Sequence, residues 1–218
     1  MLSCVFENGF LLGALMRLVP LWLSLSVHEW AHAYAAFRLG DDTAALEGRM
    51  TLNPFVHVDP FGTFLFPLVG IPFGWARPVP INPTRFRRDV TMGTGVMLSA
   101  AAGPASNLVL ALVCAIVTGL LSRAHLLDRH AGARQLLFIL LQTNVLLFLF
   151  NLLPIPPLDG SRIVEGLVPY RYRRSWDRLN HLSTLESAVL LVISAIVLFP
   201  SSLFVEVSLQ QFIYLLSQ

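Results

Sequence analysis

From Val90 to Ser122 the sequence runs 33 residues without a charged side chain, and from Gln135 to Leu158 it again carries none. A soluble core absorbs apolar residues but interleaves them with a charged shell, and runs of this kind leave no position for that shell. Each is long enough to cross the hydrocarbon core of a bilayer, which takes about 20 residues of helix. The whole chain agrees with this: of 218 residues, 55% are hydrophobic and 13% charged, with a mean hydropathy of +0.67, too apolar for an ordinary soluble domain. The expected fold class is an all-α polytopic membrane protein, a single integral-membrane domain over residues 1–218 built as a transmembrane helix bundle.

Four spans are expected. The first covers about 10–39; Ala31, Ala33, Ala35 and Ala36 favour helix there, and Gly40 followed by Asp41 and Asp42 is a helix stop. The opening MLSCVFENGF has no basic segment, so this span is expected to be retained rather than removed as a signal peptide. The second covers about 90–122 and contains the small-residue cluster SAAAGPASN, with Pro104 placed to kink it. The third covers about 135–153 and runs into NLLPIPPLDG, where Pro154, Pro156 and Pro157 must unwind the helix before Asp159. The fourth covers about 187–205, and the stretch 206–218 either returns through the bilayer or lies on its surface. Residues 61–79 are apolar but broken by Pro67, Gly70, Pro72 and Gly74. Such backbone is tolerated at membrane depth only where protein or water satisfies its amides, which predicts a small re-entrant β-hairpin or loop.

All fifteen basic residues are Arg and the formal charge is only +2, so nothing marks a nucleic-acid partner. Cys4 and Cys114 make neither a disulfide framework nor a metal knuckle. The 40–92 and 153–185 segments hold five Arg each, against three in 123–134, which places the first two on the cytoplasmic side. The motifs beside those two segments therefore belong near the same membrane face.

The chemistry is concentrated in His28-Glu29-Trp30-Ala31-His32. Two imidazoles four residues apart on a helix share a face and can grip one zinc ion, while Glu29 stands beside that face as a general base. Buried histidines usually serve as hydrogen-bonded packing residues, but two imidazoles and a carboxylate inside an apolar span cost several kcal/mol unless partnered, and such groups are functional by default. Catalytic zinc takes a third protein ligand and leaves one position open. His57, His125, His130 and His181 all fall in polar or loop sequence, where solvated or locally bonded side chains are expected. Asp159 follows a proline-unwound stretch on the same inferred side, and Gly160 permits close approach of backbone. Asp159 could instead cap a helix beginning near Ser161; beside the histidine motif, the metal reading is preferred.

HEWAH within a span, AGPASN in a later span and NLLPIPPLDGSR after another resemble the site-2 protease family, in this order and over nearly the whole chain. GWARPVPINP is similar to the compact branch of that family, and neither a PDZ-type nor a CBS-type extension is expected in this length. The resemblance implies an intramembrane zinc metalloprotease, a helix bundle whose metal site is reached by water from the cytosolic side. It implies one Zn2+ per chain held by His28, His32 and Asp159, Glu29 as catalytic acid and base, and Asn151 helping to position substrate or stabilise the oxyanion. It also implies that 61–79 presents an edge to an unwound substrate. The implied partners are the lipid bilayer and a transmembrane protein substrate: an anti-sigma factor, a membrane-bound regulator or a signal-peptide remnant. Gly103, Pro104 and Asn107 match a further family motif, but by residue type they read as close-packing and kink positions. Two other classes stand beside this one. A proteolytically inactive, zinc-stabilised membrane binder or chaperone would need a fourth protein ligand closing the site, and a metal transporter would need ionisable residues along a complete path.

Overall fold

The computed structural model describes residues 8–65 and 75–172, together with 176, 211 and 213. The expected fourth span at 187–205, the stretch 206–218 and the middle of the 61–79 segment lie outside the described residues. Within them the protein is mostly helical and contains no strand.

Helix α1 spans Asn8–Arg38, 31 residues, or about 46 Å at 1.5 Å per residue, longer than a hydrocarbon core of about 30 Å. Its end is set by Gly40, whose φ of +111° is open to glycine at little cost. The Asp41 amide reaches back to the Ala36 carbonyl at 3.0 Å and the Gly40 amide to Phe37 at 3.0 Å, so the last carbonyls of the helix are satisfied as in a Schellman cap. Two single-turn helices follow, α2 (Thr43–Leu46) and α3 (Pro54–His57), then a π-helical turn at Pro60–Leu65. Only the two ends of the expected re-entrant segment are described: this turn, and an irregular stretch beginning at Trp75.

Helix α4 (Met92–Arg123) is capped by Thr91, whose hydroxyl accepts from the Thr94 amide at 3.2 Å. It is the central element, packing against α1, against α5 (Ala131–Asn151) and against α6 (Asp159–Leu167). Its buried residues include Gly95, Ser99, Gly103, Asn107, Ala111, Ala115 and Gly119, at every fourth position. That spacing lays small side chains along one side of the helix, where neighbouring backbones can approach closely. The opposite side exposes Val109, Leu112, Val113, Ile116 and Leu120, an apolar surface suited to lipid and costly in water. Helices α4 and α5 are each long and apolar enough to cross a membrane by length and composition. Helix α5 starts four residues earlier than its charge-free run, taking in Arg134, because charge at a helix end is tolerated at the interface.

After α5 the chain turns through Leu153–Leu158 and enters α6 at Asp159. The turn is tight: a Cβ on Gly160 would overlap the carbonyl oxygens of Leu152 and Leu153. The capping alternative for Asp159 is not realised, since Leu158 holds the cap position, no side chain caps the helix and Asp159 is its first residue.

A Cβ at Gly40 would lie 2.8 Å from the backbone nitrogen of Arg87 in addition to straining φ. Gly40→Ala is therefore expected to lower stability by about 1–3 kcal/mol, read as a lower unfolding temperature in detergent; an unchanged temperature would refute this account of how α1 ends.

Candidate metal centre

Helix α1 brings His28 and His32 to one face, and the turn before α6 brings Asp159 to meet them. His28 Nε2 lies 3.2 Å and His32 Nε2 3.3 Å from Asp159 Oδ2, and the two Nε2 atoms are 2.9 Å apart. All three side chains are buried or nearly so. Ligands about 2.0–2.2 Å from one ion at tetrahedral angles sit about 3.3 Å from each other, so the three separations lie at or just under the spacing a zinc ion would impose.

The protons in this cluster are already spent elsewhere. His28 Nδ1 faces Asn107 Oδ1 at 2.6 Å and His32 Nδ1 faces the Ser99 carbonyl oxygen at 2.7 Å. The Ser99 carbonyl can only accept, so Nδ1 of His32 must donate. Asn107 uses its amide nitrogen on Asn144 Oδ1 at 3.0 Å, leaving its oxygen for His28. With both imidazoles neutral, as ligation requires, the Nδ1 protons leave the Nε2 lone pairs turned toward one carboxylate oxygen. Asp159 Oδ2 is buried and receives no hydrogen bond. Three buried acceptors facing each other need a positive charge between them, and the donor set of two imidazoles and a carboxylate suits zinc.

Helix α4 closes the cluster with backbone alone. A Cβ on Gly103 would overlap His32 Nε2 and Cε1 and come within 2.7 Å of His28 Cε1. Gly103 and Asn107, read from sequence as packing positions, thus adjoin the imidazoles directly. Their signal in the sequence was present but ambiguous: a glycine among alanines, and an amide in a charge-free run.

Glu29 is buried beside the cluster and outside it. Its Oε2 accepts from the Val79 amide at 3.0 Å. The backbone carrying that amide is held by two more buried side chains. Arg49 donates to the carbonyls of Arg77 and Pro78 at 2.7 and 3.2 Å, and Asp41 Oδ2 accepts from the Asn82 amide at 2.6 Å. The Arg77 amide also reaches the His57 carbonyl at 2.9 Å. Asn151, at the end of α5, donates from Nδ2 to the Leu147 carbonyl of its own helix at 3.0 Å. Of the other histidines, His57 is buried with Nε2 2.8 Å from the Thr51 carbonyl oxygen, rather than solvated. His125 pairs with Asp128 at an exposed turn, His130 is exposed, and His181 lies outside the described residues. Among the described residues, the only group of three or more possible ligand side chains is His28, His32 and Asp159.

Residues 124–194, which contain Asp159, match the family model described as Peptidase family M50. Over 155 residues the chain is 48% identical to a Bacillus subtilis protein named "Putative zinc metalloprotease YwhC", covering 69% of this chain and 68% of that protein. Proteins of the same description named Rip2 are 32% identical in Mycolicibacterium smegmatis and 33% in Mycobacterium tuberculosis, over 154 residues. Those alignments cover 70% of this chain but 58% of each mycobacterial protein, so the chain spans little more than half their length. No solved structure matches the chain.

Because only hydrogen fits at position 103, Gly103→Ala is expected to displace the imidazoles and weaken metal binding at least 10-fold, the scale seen when the surroundings of a ligand are disturbed. Chelator competition on the purified protein measures this, and wild-type affinity would show that α4 does not press on the pair.

Proposed function

The chain belongs to peptidase family M50, and from that premise we propose that it is an intramembrane zinc metalloprotease, hydrolysing peptide bonds within or beside the transmembrane helices of other membrane proteins. The observation that carries the reading is the convergence of His28 Nε2, His32 Nε2 and Asp159 Oδ2 with no hydrogen bond on the carboxylate oxygen. These three would hold one zinc ion. Among the described residues no fourth ligand side chain joins them. Three ligands with one position left for water is the catalytic pattern; a zinc-stabilised binder or chaperone would close the site with a fourth.

Zinc, when bound, supplies Lewis-acid polarisation of the scissile carbonyl and brings the pKa of water there to ~7. Glu29 takes the proton of the attacking water and returns it to the leaving amine. Its Oε2 is held by the Val79 amide, which fixes the carboxylate and leaves Oε1 for the proton. Asn151 has an amide that could turn from the Leu147 carbonyl toward a developing oxyanion, a role that rests on the family resemblance. A helical substrate hides its amides, so it must unwind before a carbonyl reaches the site. Docking of such a segment beside the stretch that holds Glu29 is a further part of the reading that rests on the family resemblance.

The polytopic arrangement with the centre toward the cytoplasm is supported by the apolar lengths of α4 and α5 and by the distribution of Arg. Substrates are transmembrane proteins; anti-sigma factors, membrane-bound regulators and signal-peptide remnants are the classes to test. Comparing membrane proteomes from cells with the active enzyme and with a Glu29 variant would identify them by fragments present only in the former.

Glu29→Gln retains an acceptor for the Val79 amide but no base, so it is expected to keep its zinc and lose cleavage by about 10²–10⁴-fold; retained proteolysis refutes the assignment. Asp159→Ala is expected to lower the zinc content of the purified protein, and unchanged stoichiometry removes Asp159 from the ligand set. Asn151→Ala, with its zinc retained, is expected to lower kcat by about 10²-fold or more if its amide serves the oxyanion, whereas unchanged kcat makes it structural.

A further inference from the structure

We propose that Asn144, acting through Asn107, is a positioning residue that keeps the Nε2 lone pair of His28 open to the metal. This rests on reading His28, His32 and Asp159 as the metal centre. The two histidines are secured differently. His32 Nδ1 meets a main-chain carbonyl, that of Ser99, at 2.7 Å, which has only one way to bond. His28 Nδ1 meets the side-chain amide of Asn107 at 2.6 Å, and an amide can present either its oxygen or its nitrogen. Something must decide which.

Asn144 decides it. Its Nδ2 lies 2.8 Å from the Leu140 carbonyl oxygen, which can only accept, and 2.8 Å from Ser24 Oγ. The Ser24 hydroxyl donates to the Pro20 carbonyl at 2.7 Å, so Ser24 Oγ also stands as an acceptor. Both demands place the nitrogen of Asn144 on that side and turn its Oδ1 toward Asn107, whose Nδ2 donates to it at 3.0 Å. The oxygen of Asn107 is then left for His28, and the proton of the neutral imidazole must reside on Nδ1. Ser24, Asn107 and Asn144 are each 0% exposed, so no bulk water can substitute for a missing member of the relay. Without Asn144 the Asn107 amide is free to reverse. Its nitrogen would then donate to His28 Nδ1, moving the imidazole proton to Nε2, where Asp159 Oδ2 at 3.2 Å would accept it and the metal would have to displace it. A buried amide in a charge-free helix is costly, and this relay gives Asn144 a reason to be there.

The test uses the full chain in detergent micelles, stripped of metal, with zinc affinity measured by competition against a chromophoric chelator. Asn144→Leu is expected to weaken zinc binding about 10–100-fold, as loss of a partner behind a metal-binding histidine does. The Asn107→Asp/Asn144→Leu double variant is expected to bind zinc as tightly as Asn107→Asp alone, because a carboxylate presents an acceptor whichever way it turns. A packing role for Asn144 would gain nothing from that second change. Should the leucine not be accommodated, Asn144→Ala makes the same comparison. Wild-type affinity in the Asn144 variants, or a loss that the aspartate does not repair, overturns the relay alone. A wild-type chain whose zinc binding is indifferent to His28→Ala overturns the metal-centre reading and the relay with it.

Discussion

Two imidazole nitrogens and a carboxylate oxygen meet with their lone pairs facing each other and their protons committed elsewhere. In an apolar interior this arrangement is repulsive, and it persists only if a positive charge occupies the middle. Much of the surrounding structure is the apparatus that forces it. Helix α1 supplies the two nitrogens at one helical turn's spacing, the tight turn at Leu153–Leu158 delivers Asp159, and α4 lies against the rings at a position with no side chain. Glu29 stays outside the group although it adjoins it in sequence, because its carboxylate is tied to the Val79 amide.

The same constraint accounts for the composition of α4. A helix that touches three neighbours along one side and exposes the other divides into small residues and large apolar ones, the exposed side being suited to lipid. Polar side chains survive on it where they bond across to a neighbour, as Asn107 does, or fold back on their own helix. Ser99 and Thr118 do the latter, each donating to a carbonyl four residues earlier at 2.7 Å. Their hydroxyls are thereby made harmless in an apolar setting.

What could be read from the sequence was whatever is encoded locally. The spacing of His28 and His32 is a property of one helix, and the charge-free run from Val90 to Ser122 lies within two residues of the helix Met92–Arg123 at both ends, whereas the run from Gln135 to Leu158 starts four residues inside the helix Ala131–Asn151 and overshoots its end by seven. Asp159 was legible at longer range because prolines mark where the helix must break, although the chain there also allowed a capping role that only the coordinates exclude. Asn107 and Asn144 were not legible as a pair: 37 residues separate them, and only the packing of α4 on α5 makes the amide of one the partner of the other. Nothing in the sequence marks Arg49 and Asp41 as buried, yet both are, since whether a loop charge reaches water depends on what folds over it. For His57 the locally bonded alternative is the one realised, through the Thr51 carbonyl. The β-hairpin expected in 61–79 has its centre outside the described residues, while the turn at Pro60–Leu65 is π-helical.

Among the described residues, the backbone from Arg77 to Asn82 is fastened mainly by side chains: Arg49 on its carbonyls, Asp41 at one end, Glu29 in its middle. A strand inside a sheet shares its load over many equivalent bonds, whereas this segment hangs from a few dissimilar anchors, one of which is the Glu29 carboxylate beside the candidate metal centre. Tension anywhere along it is felt at Glu29. Residues with no chemistry of their own, in a loop that tolerates variation in most proteins, therefore become part of what sets the position of the Glu29 carboxylate.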